Sequence, residues 1–219
     1  MIIRFPKKVR ETFFLDHFKA TLLWTFLSVL ACYLFIDIPL AKFFEHPPRP
    51  LTESAQFLSD ITHPKYQMFL WPGLFFLFRF IYKKEVLGNR CLLILISISI
   101  ANILTEVIKK LLGRARPELL FAHDQYGFTL FSSSDILSSF PSGHACTIGA
   151  LCGAFTCFYP RLWLPLFLIS LVLAFARVIL AAHFLSDVIA GVIIGILTAQ
   201  WIYKVMKKEH IPFSRRFYG

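Results

Sequence analysis

Six runs of 15 to 21 residues, each nearly free of charge and set apart by basic or proline-rich stretches, constrain this chain more than any other feature. They cover residues 20–40, 66–82, 91–108, 145–159, 162–180 and 187–203. Crossing a hydrocarbon core takes about 20 apolar residues in helix, in a range of about 17–25. The fourth run is short and reaches that length only if its helix begins near Ser142. With 57% of its residues hydrophobic, the chain exceeds the roughly 45–50% of a soluble globular domain. The expected fold is therefore all-α: a polytopic membrane protein of six transmembrane helices, with residues 1–219 forming one integral-membrane domain.

The formal charge of +10 is concentrated in the short stretches between runs. No basic amphipathic helix or soluble nucleic-acid motif accompanies it, so nucleic acid is not the expected partner. With alternating spans, thirteen Lys and Arg fall on one side and seven on the other. The excess predicts both termini, residues 1–18 and 204–219, in the cytoplasm. Four of the seven minority charges (Lys109, Lys110, Arg114 and Arg116) crowd into one stretch, which points to another purpose. Basic residues (Arg4, Lys7, Lys8, Arg10) precede the first run, but no small-residue cleavage site follows before Asp37. That run reads as a retained helix rather than a signal peptide.

Cys32, Cys91, Cys146, Cys152 and Cys157 all lie inside apolar runs without CxxC or Cys/His metal spacing, and read as packing residues. Between the first two runs, residues 51–61 have the pattern of a short amphipathic helix on the membrane surface.

Three polar clusters do not fit a plain bundle. The first is KKLLGRARP, residues 109–117; on a continuous helix Lys109 and Arg116, seven apart, share a face. Lys110 and Arg114 lie off that face and read as snorkelling interfacial cations. The second is PSGH, residues 141–144, at the mouth of the fourth run. The third is ARVILAAHFLSD, residues 176–187, with Arg177, His183 and Asp187. One closes a span, one opens a span and one joins two spans, so alternation brings all three to the same extracytoplasmic face.

His183 and Asp187, at i,i+4, can meet on one helical face. The carboxylate then orients the imidazole and leaves its other nitrogen free to attack. Arg177 lies about 240° around a helix from His183, so a chain break must join them. Lys109, Arg116 and Arg177 with His144 and His183 make a site for a multivalent anion, and forked guanidinium donors match phosphate oxygens. A helix start around Ser142, Gly143 and His144 adds amides, and glycine permits close approach. His123 and Asp124 read as an ordinary solvated loop over the entrance. His17, His46, His63 and His210 have no evident partner.

Lys109-x6-Arg116-Pro117, Pro141-Ser142-Gly143-His144 and Arg177-x5-His183-x3-Asp187, in that order, resemble the three-part signature of the PAP2 family of lipid-phosphate phosphatases. One position departs from the family pattern: Ala176 stands where a serine usually precedes the third-motif arginine.

The resemblance implies a membrane phosphatase acting on a lipid phosphate or diphosphate through a phosphohistidine. His183 would be the nucleophile, Asp187 its orienter and His144 the general acid. Lys109, Arg116, Ser142, Gly143 and Arg177 would hold the phosphate. No cofactor or metal is implied, since one carboxylate stands among cations that already do the electrostatic work.

The expected partners are a lipid phosphate and the bilayer, in a bacterial inner membrane with the site facing the periplasm or exterior. Undecaprenyl diphosphate heads the candidate substrates, followed by lipid A 1-phosphate, phosphatidylglycerophosphate and phosphatidate. A lipid phosphotransferase built on the same residues is the alternative enzyme. An anionic-lipid transporter is the non-enzymatic alternative, although an oriented His–Asp pair is superfluous for binding alone.

Overall fold

Gly149 and Gly153 on one helix face Val192 and Ile196 on another so closely that a Cβ on Gly149 would collide with the Val192 carbonyl. This backbone-to-backbone seam is the axis of the molecule. The computed structural model describes residues 11–132 and 134–213. Arg4, Lys7, Lys8, Arg10, Arg215 and Arg216, which weigh in the orientation argument, lie outside the described residues, in residues 1–10 and 214–219 of the two tails.

Seven main helices follow in order. They are α1 (Phe18–Phe43), α2 (Arg49–Ile61), α3 (Pro64–Phe76), α4 (Glu85–Leu112), α5 (Gly143–Phe158), α6 (Trp163–Ile179) and α7 (Leu185–Lys208). No strand occurs among the described residues beyond an isolated bridge between Arg114 and Phe128.

Among the described residues four helices are long and apolar enough to cross a membrane: α1, α4, α6 with its preceding turn, and α7. The other two expected spans differ. α5 has 16 residues, about 24 Å at 1.5 Å per residue, short of a core about 30 Å thick. Pro141 and the Ser142 cap stop it from starting earlier. Most of α5 is buried against neighbours, so protein rather than lipid surrounds it. α3 keeps regular α geometry only to Phe76, with Pro72 inside it, and widens into a π turn over Leu77–Ile81. Pro72 cannot donate to the turn before it.

α4 has 28 residues, about 42 Å, and overshoots a hydrocarbon core at its ends, which carries Lys109 to the site. α1 contains a π turn at Cys32–Ile36, closed by the Asp37 amide bonding the Cys32 carbonyl. Pro39, lacking an N–H, follows immediately. The wide turn brings Asp37 into the protein interior, where it is buried. α2 is the amphipathic surface helix: Ala55 and Ser59 are buried while Phe57 and Ile61 are exposed.

Candidate active site

The end of α4, the start of α5 and the connection from α6 to α7 meet at one end of the bundle. α4 stops at Leu112 because Gly113 adopts φ +56°, a left-handed cap that glycine takes without penalty. Lys109 is still helical there, but Arg116 is not, so the two do not share a continuous helical face. Lys109 extends from the last turn towards Gly143, and its Nζ bonds Glu106 at 2.7 Å. Arg116 sits in the following loop, donating to the Asp135 carbonyl at 3.0 Å, Ser138 Oγ at 3.2 Å and the Ala182 carbonyl at 3.4 Å. The fold reunites them by tertiary contacts.

The break between the last two spans is a tight turn. α6 ends at Ile179, Ala181 has φ +49°, and the Ala182 and His183 amides both bond the Arg177 carbonyl, at 3.1 and 3.3 Å. That fold-back puts Arg177 beside His183 despite their opposed angular positions. His183 itself precedes α7, so the expected shared helical face with Asp187 is absent.

The two residues are neighbours by another route. Asp187, in the first turn of α7, accepts the Phe184 amide at 2.9 Å. His183 Nδ1 lies 2.9 Å from the Ser139 carbonyl and 3.7 Å from Asp187 Oδ2. The carbonyl is therefore the hydrogen-bond acceptor and the carboxylate acts on the ring through charge. With the proton held on Nδ1, the lone pair is on Nε2. Burial pushes the His183 imidazole down to about 4, against the opposing pull of Asp187. Burial thus favours the neutral ring, the form that a nitrogen nucleophile needs.

His144 stands in the first turn of α5 with Nε2 buried and unpartnered. Around it are Arg177, His63, His183 and Lys109. Arg177 donates to Ser59 Oγ of α2 at 2.9 Å, while its Nε is buried without a partner. Two buried unpartnered nitrogens, His144 Nε2 and Arg177 Nε, together with the cations Lys109, Arg116 and Arg177 near a helix N-terminus, suit an oxyanion.

Ser142 and Gly143 form the start of α5 beside these cations. Ser142 is fully buried, and its hydroxyl oxygen accepts the Ala145 amide at 3.4 Å as the α5 cap, which leaves the hydroxyl hydrogen free to donate. A Cβ on Gly143 would meet Lys109 Nζ at 3.6 Å and Asn102 Oδ1 at 3.8 Å, ordinary contacts. The protein does not require glycine there. What a side chain would occupy is the space beside Lys109.

The largest correction is Arg114. It is no snorkelling cation: it is fully buried and bonded to two carboxylates, Asp37 Oδ2 at 2.8 Å and Asp187 Oδ1. Tyr33, Tyr126, Phe128 and Phe184 ring its guanidinium. Lys110 is exposed, as expected. His63 packs edge-to-face on His144 with ring centroids 4.7 Å apart. Ser139 and Ser59 also went unnoticed. A signal existed for Asp37, since an acid inside an apolar run is a functional candidate by default. None existed for Ser59 or His63, which reach the site only because α2 folds over it. His123 and Asp124 are exposed at the end of a short helix, Pro117–His123.

Several known proteins resemble this chain. A lipid A 1-phosphatase of Rhizobium etli is 38% identical over 95 residues, which cover 43% of this chain and 41% of that protein. The chain thus matches about two-fifths of that relative's length. A lipid A 1-phosphatase of Rhizobium johnstonii is 28% identical over 187 residues, 81% of this chain and 76% of that protein. The crystal structure of a transmembrane PAP2-type phosphatidylglycerolphosphate phosphatase from Bacillus subtilis superposes with a TM-score of 0.56 at 19% identity, covering 89% of this chain and 98% of that one. The model of the PAP2 superfamily matches residues 90–211, which contain all three motifs, and the chain belongs to that superfamily.

Proposed function

We propose that the chain is a membrane phosphatase that hydrolyses a lipid phosphate or diphosphate through a phosphohistidine on His183. The observation that carries this is the setting of His183, with Nδ1 tied to the Ser139 carbonyl at 2.9 Å, so that Nε2 is the nitrogen left to attack, and Arg116 and Arg177 within electrostatic reach. Nε2 attacks phosphorus as the bond to the leaving oxygen breaks. Arg116, Arg177, Lys109 and the α5 amides hold the phosphoryl oxygens as charge redistributes. His144 gives its proton to the leaving oxygen, then takes one from the water that attacks the phosphohistidine, which releases inorganic phosphate and restores His183. His144 has Arg177 and Lys109 for neighbours, so the charge of an arriving phosphate is what favours a proton there. Asp187 and Asp37 are both committed to Arg114, and the reaction as written uses no metal.

The site is proposed to face the periplasm or exterior of a bacterial inner membrane, with both termini in the cytoplasm, as the charge asymmetry of the loops supports. Among candidate substrates, lipid A 1-phosphate moves ahead of undecaprenyl diphosphate, on the names of the two Rhizobium relatives.

The test is phosphate release by detergent-purified protein, with EDTA present, from lipid A, undecaprenyl diphosphate, phosphatidylglycerophosphate and phosphatidate. At least one lipid should turn over, and His183→Ala should lose about 10⁴-fold or more, as removal of a nucleophile does. Acid-quenched wild type should carry phosphate on His183. Turnover without a phosphoenzyme and without loss in His183→Ala would overturn the mechanism. No release from any lipid would redirect attention to lipid-to-lipid transfer and then to transport.

A further inference from the structure

Resting on the hydrolytic reading above, we propose that Asp37 and Arg114, neither of which belongs to the three motifs, are positioning residues that act through Asp187 to set the charge felt by His183. Arg114 alone would neutralise Asp187 and cancel the benefit of a carboxylate beside the nucleophile. Asp37 prevents that. It reaches in from the π turn of α1 and takes one side of the guanidinium, with Oδ2 at 2.8 Å from Nη2. Asp187 takes the other side through Nη1. Ser186 ties the two halves together: its amide donates to Asp37 Oδ1 at 3.0 Å, its hydroxyl donates to Asp37 Oδ2, and it accepts from Arg114 Nη1 at 2.6 Å. Tyr126 accepts from Nη2 at 3.0 Å and donates to the Tyr33 carbonyl at 2.7 Å.

Asp37, Arg114, Ser186 and Asp187 are all 0–1% exposed, so little solvent screening weakens the sum of their charges. Two carboxylates against one guanidinium leave one excess negative charge. Ser139 couples that charge to the nucleophile, since its hydroxyl donates to Asp187 Oδ2 at 2.6 Å while its carbonyl receives Nδ1–H of His183 at 2.9 Å. Attack through Nε2 with Nδ1–H retained turns a neutral imidazole into a cationic ring. The excess charge is absent from the ground-state ring's needs and matched to that product. It favours the step that forms the phosphohistidine rather than substrate binding. Against it stand the cations that also face His183, Arg116 and Arg177, and His144, which His183 faces in turn.

Three variants step the cluster's charge: Arg114→Gln to minus two, Asp37→Asn to zero, and the Asp37→Asn/Arg114→Gln double back to minus one. The readouts are the imidazole NMR titration of His183, assigned by its loss in His183→Ala, and kcat and KM for the lipid hydrolysed by wild type. Arg114→Gln should raise the His183 midpoint and Asp37→Asn lower it, each by about one pH unit, with the double variant near wild type. Asp37→Asn should lower kcat about tenfold at unchanged KM. The double variant carries a neutral amide pair in place of the ion pair, so it keeps the test alive if Arg114→Gln does not fold. A His183 midpoint that stays put in Asp37→Asn, or that moves the same way in both single variants, would overturn the proposal. If no lipid is hydrolysed and the midpoints still follow the charge steps, the electrostatic coupling stands and the hydrolytic reading falls.

Discussion

Helices α7 and α1 are equally apolar and both long enough to span a membrane, yet 72% of the apolar window of α7 is buried inside the protein against 11% for α1. Hydropathy does not separate them; side-chain size does. α7 meets α5 through Gly191, Gly195, Gly149 and Gly153, where the two backbones nearly touch. α1 turns Leu22, Leu23, Trp24, Phe26 and Phe35 outward. In lipid no hydrophobic force drives an apolar face inward, so small residues that permit close approach decide which helices form the centre. The site sits at one end of that tight pair, where α5 begins and α7 begins, so its geometry inherits the rigidity of the seam.

The largest effect should come from breaking the seam. A Cβ at Gly195 would strike the Cys146 carbonyl and the Ala150 amide, both backbone atoms that cannot swing away. Overpacking costs about 1–3 kcal/mol where side chains can adjust, and here they cannot. Gly195→Val should therefore abolish the monodisperse peak on size exclusion in detergent. Gly73→Ala, with nothing within 4 Å of the added methyl, should leave the peak and the thermal midpoint as they are or raise the midpoint. Equal behaviour of the two variants would refute the size argument.

Next comes the chemistry that the seam positions. His144→Asn should cut kcat by about 10²–10⁴-fold, the usual weight of a general acid. Because Nε2 of His144 bonds nothing in the protein, the thermal midpoint should hold. A midpoint that drops along with the rate would make His144 structural.

A smaller effect tests the roof. Ser59→Ala removes the partner of Arg177 Nη1 at 2.9 Å. One hydrogen bond to a charged group is worth about 1.5–3 kcal/mol, but the freed guanidinium keeps the phosphate as a partner. A rise in KM of about tenfold or less is expected, with kcat held. Unchanged KM would mean that α2 only packs against α6.

What was legible follows the same division. Motif residues stand out because a cation or imidazole next to an oily run demands a reason, and Lys109, His144, Arg177 and His183 do gather at one end. Their detailed geometry was not legible, because it depends on where helices stop. Gly113 ends α4 before Arg116, and the Ala181 turn detaches His183 from α7. Spacing rules assume one continuous helix and fail at such ends. Arg114 was misread for a related reason. Past the Gly113 cap Arg114 lies inward, and one acid it meets comes from α1, 77 residues away in sequence. Ser142 illustrates the limit within a motif, since a hydroxyl at a helix start can accept an amide as a cap and still donate, and spacing alone shows neither bond.

The smallest expected effect closes the comparison on α1 itself, which carries both kinds of surface. Asp37 is buried in the charge cluster, while Leu23 and Phe26, on the same helix, are 56% and 63% exposed. If that exposed face meets only lipid tails, replacing one apolar side chain by another trades like for like. Surface substitutions away from special features stay within about 0.5 kcal/mol. Leu23→Ala and Phe26→Leu should accordingly leave the thermal midpoint within a few degrees of wild type and hydrolysis unchanged. A fall comparable to that of Gly195→Val would mean that α1 packs against something denser than lipid. The contrast between the two helices would then be one of partner rather than of side-chain size.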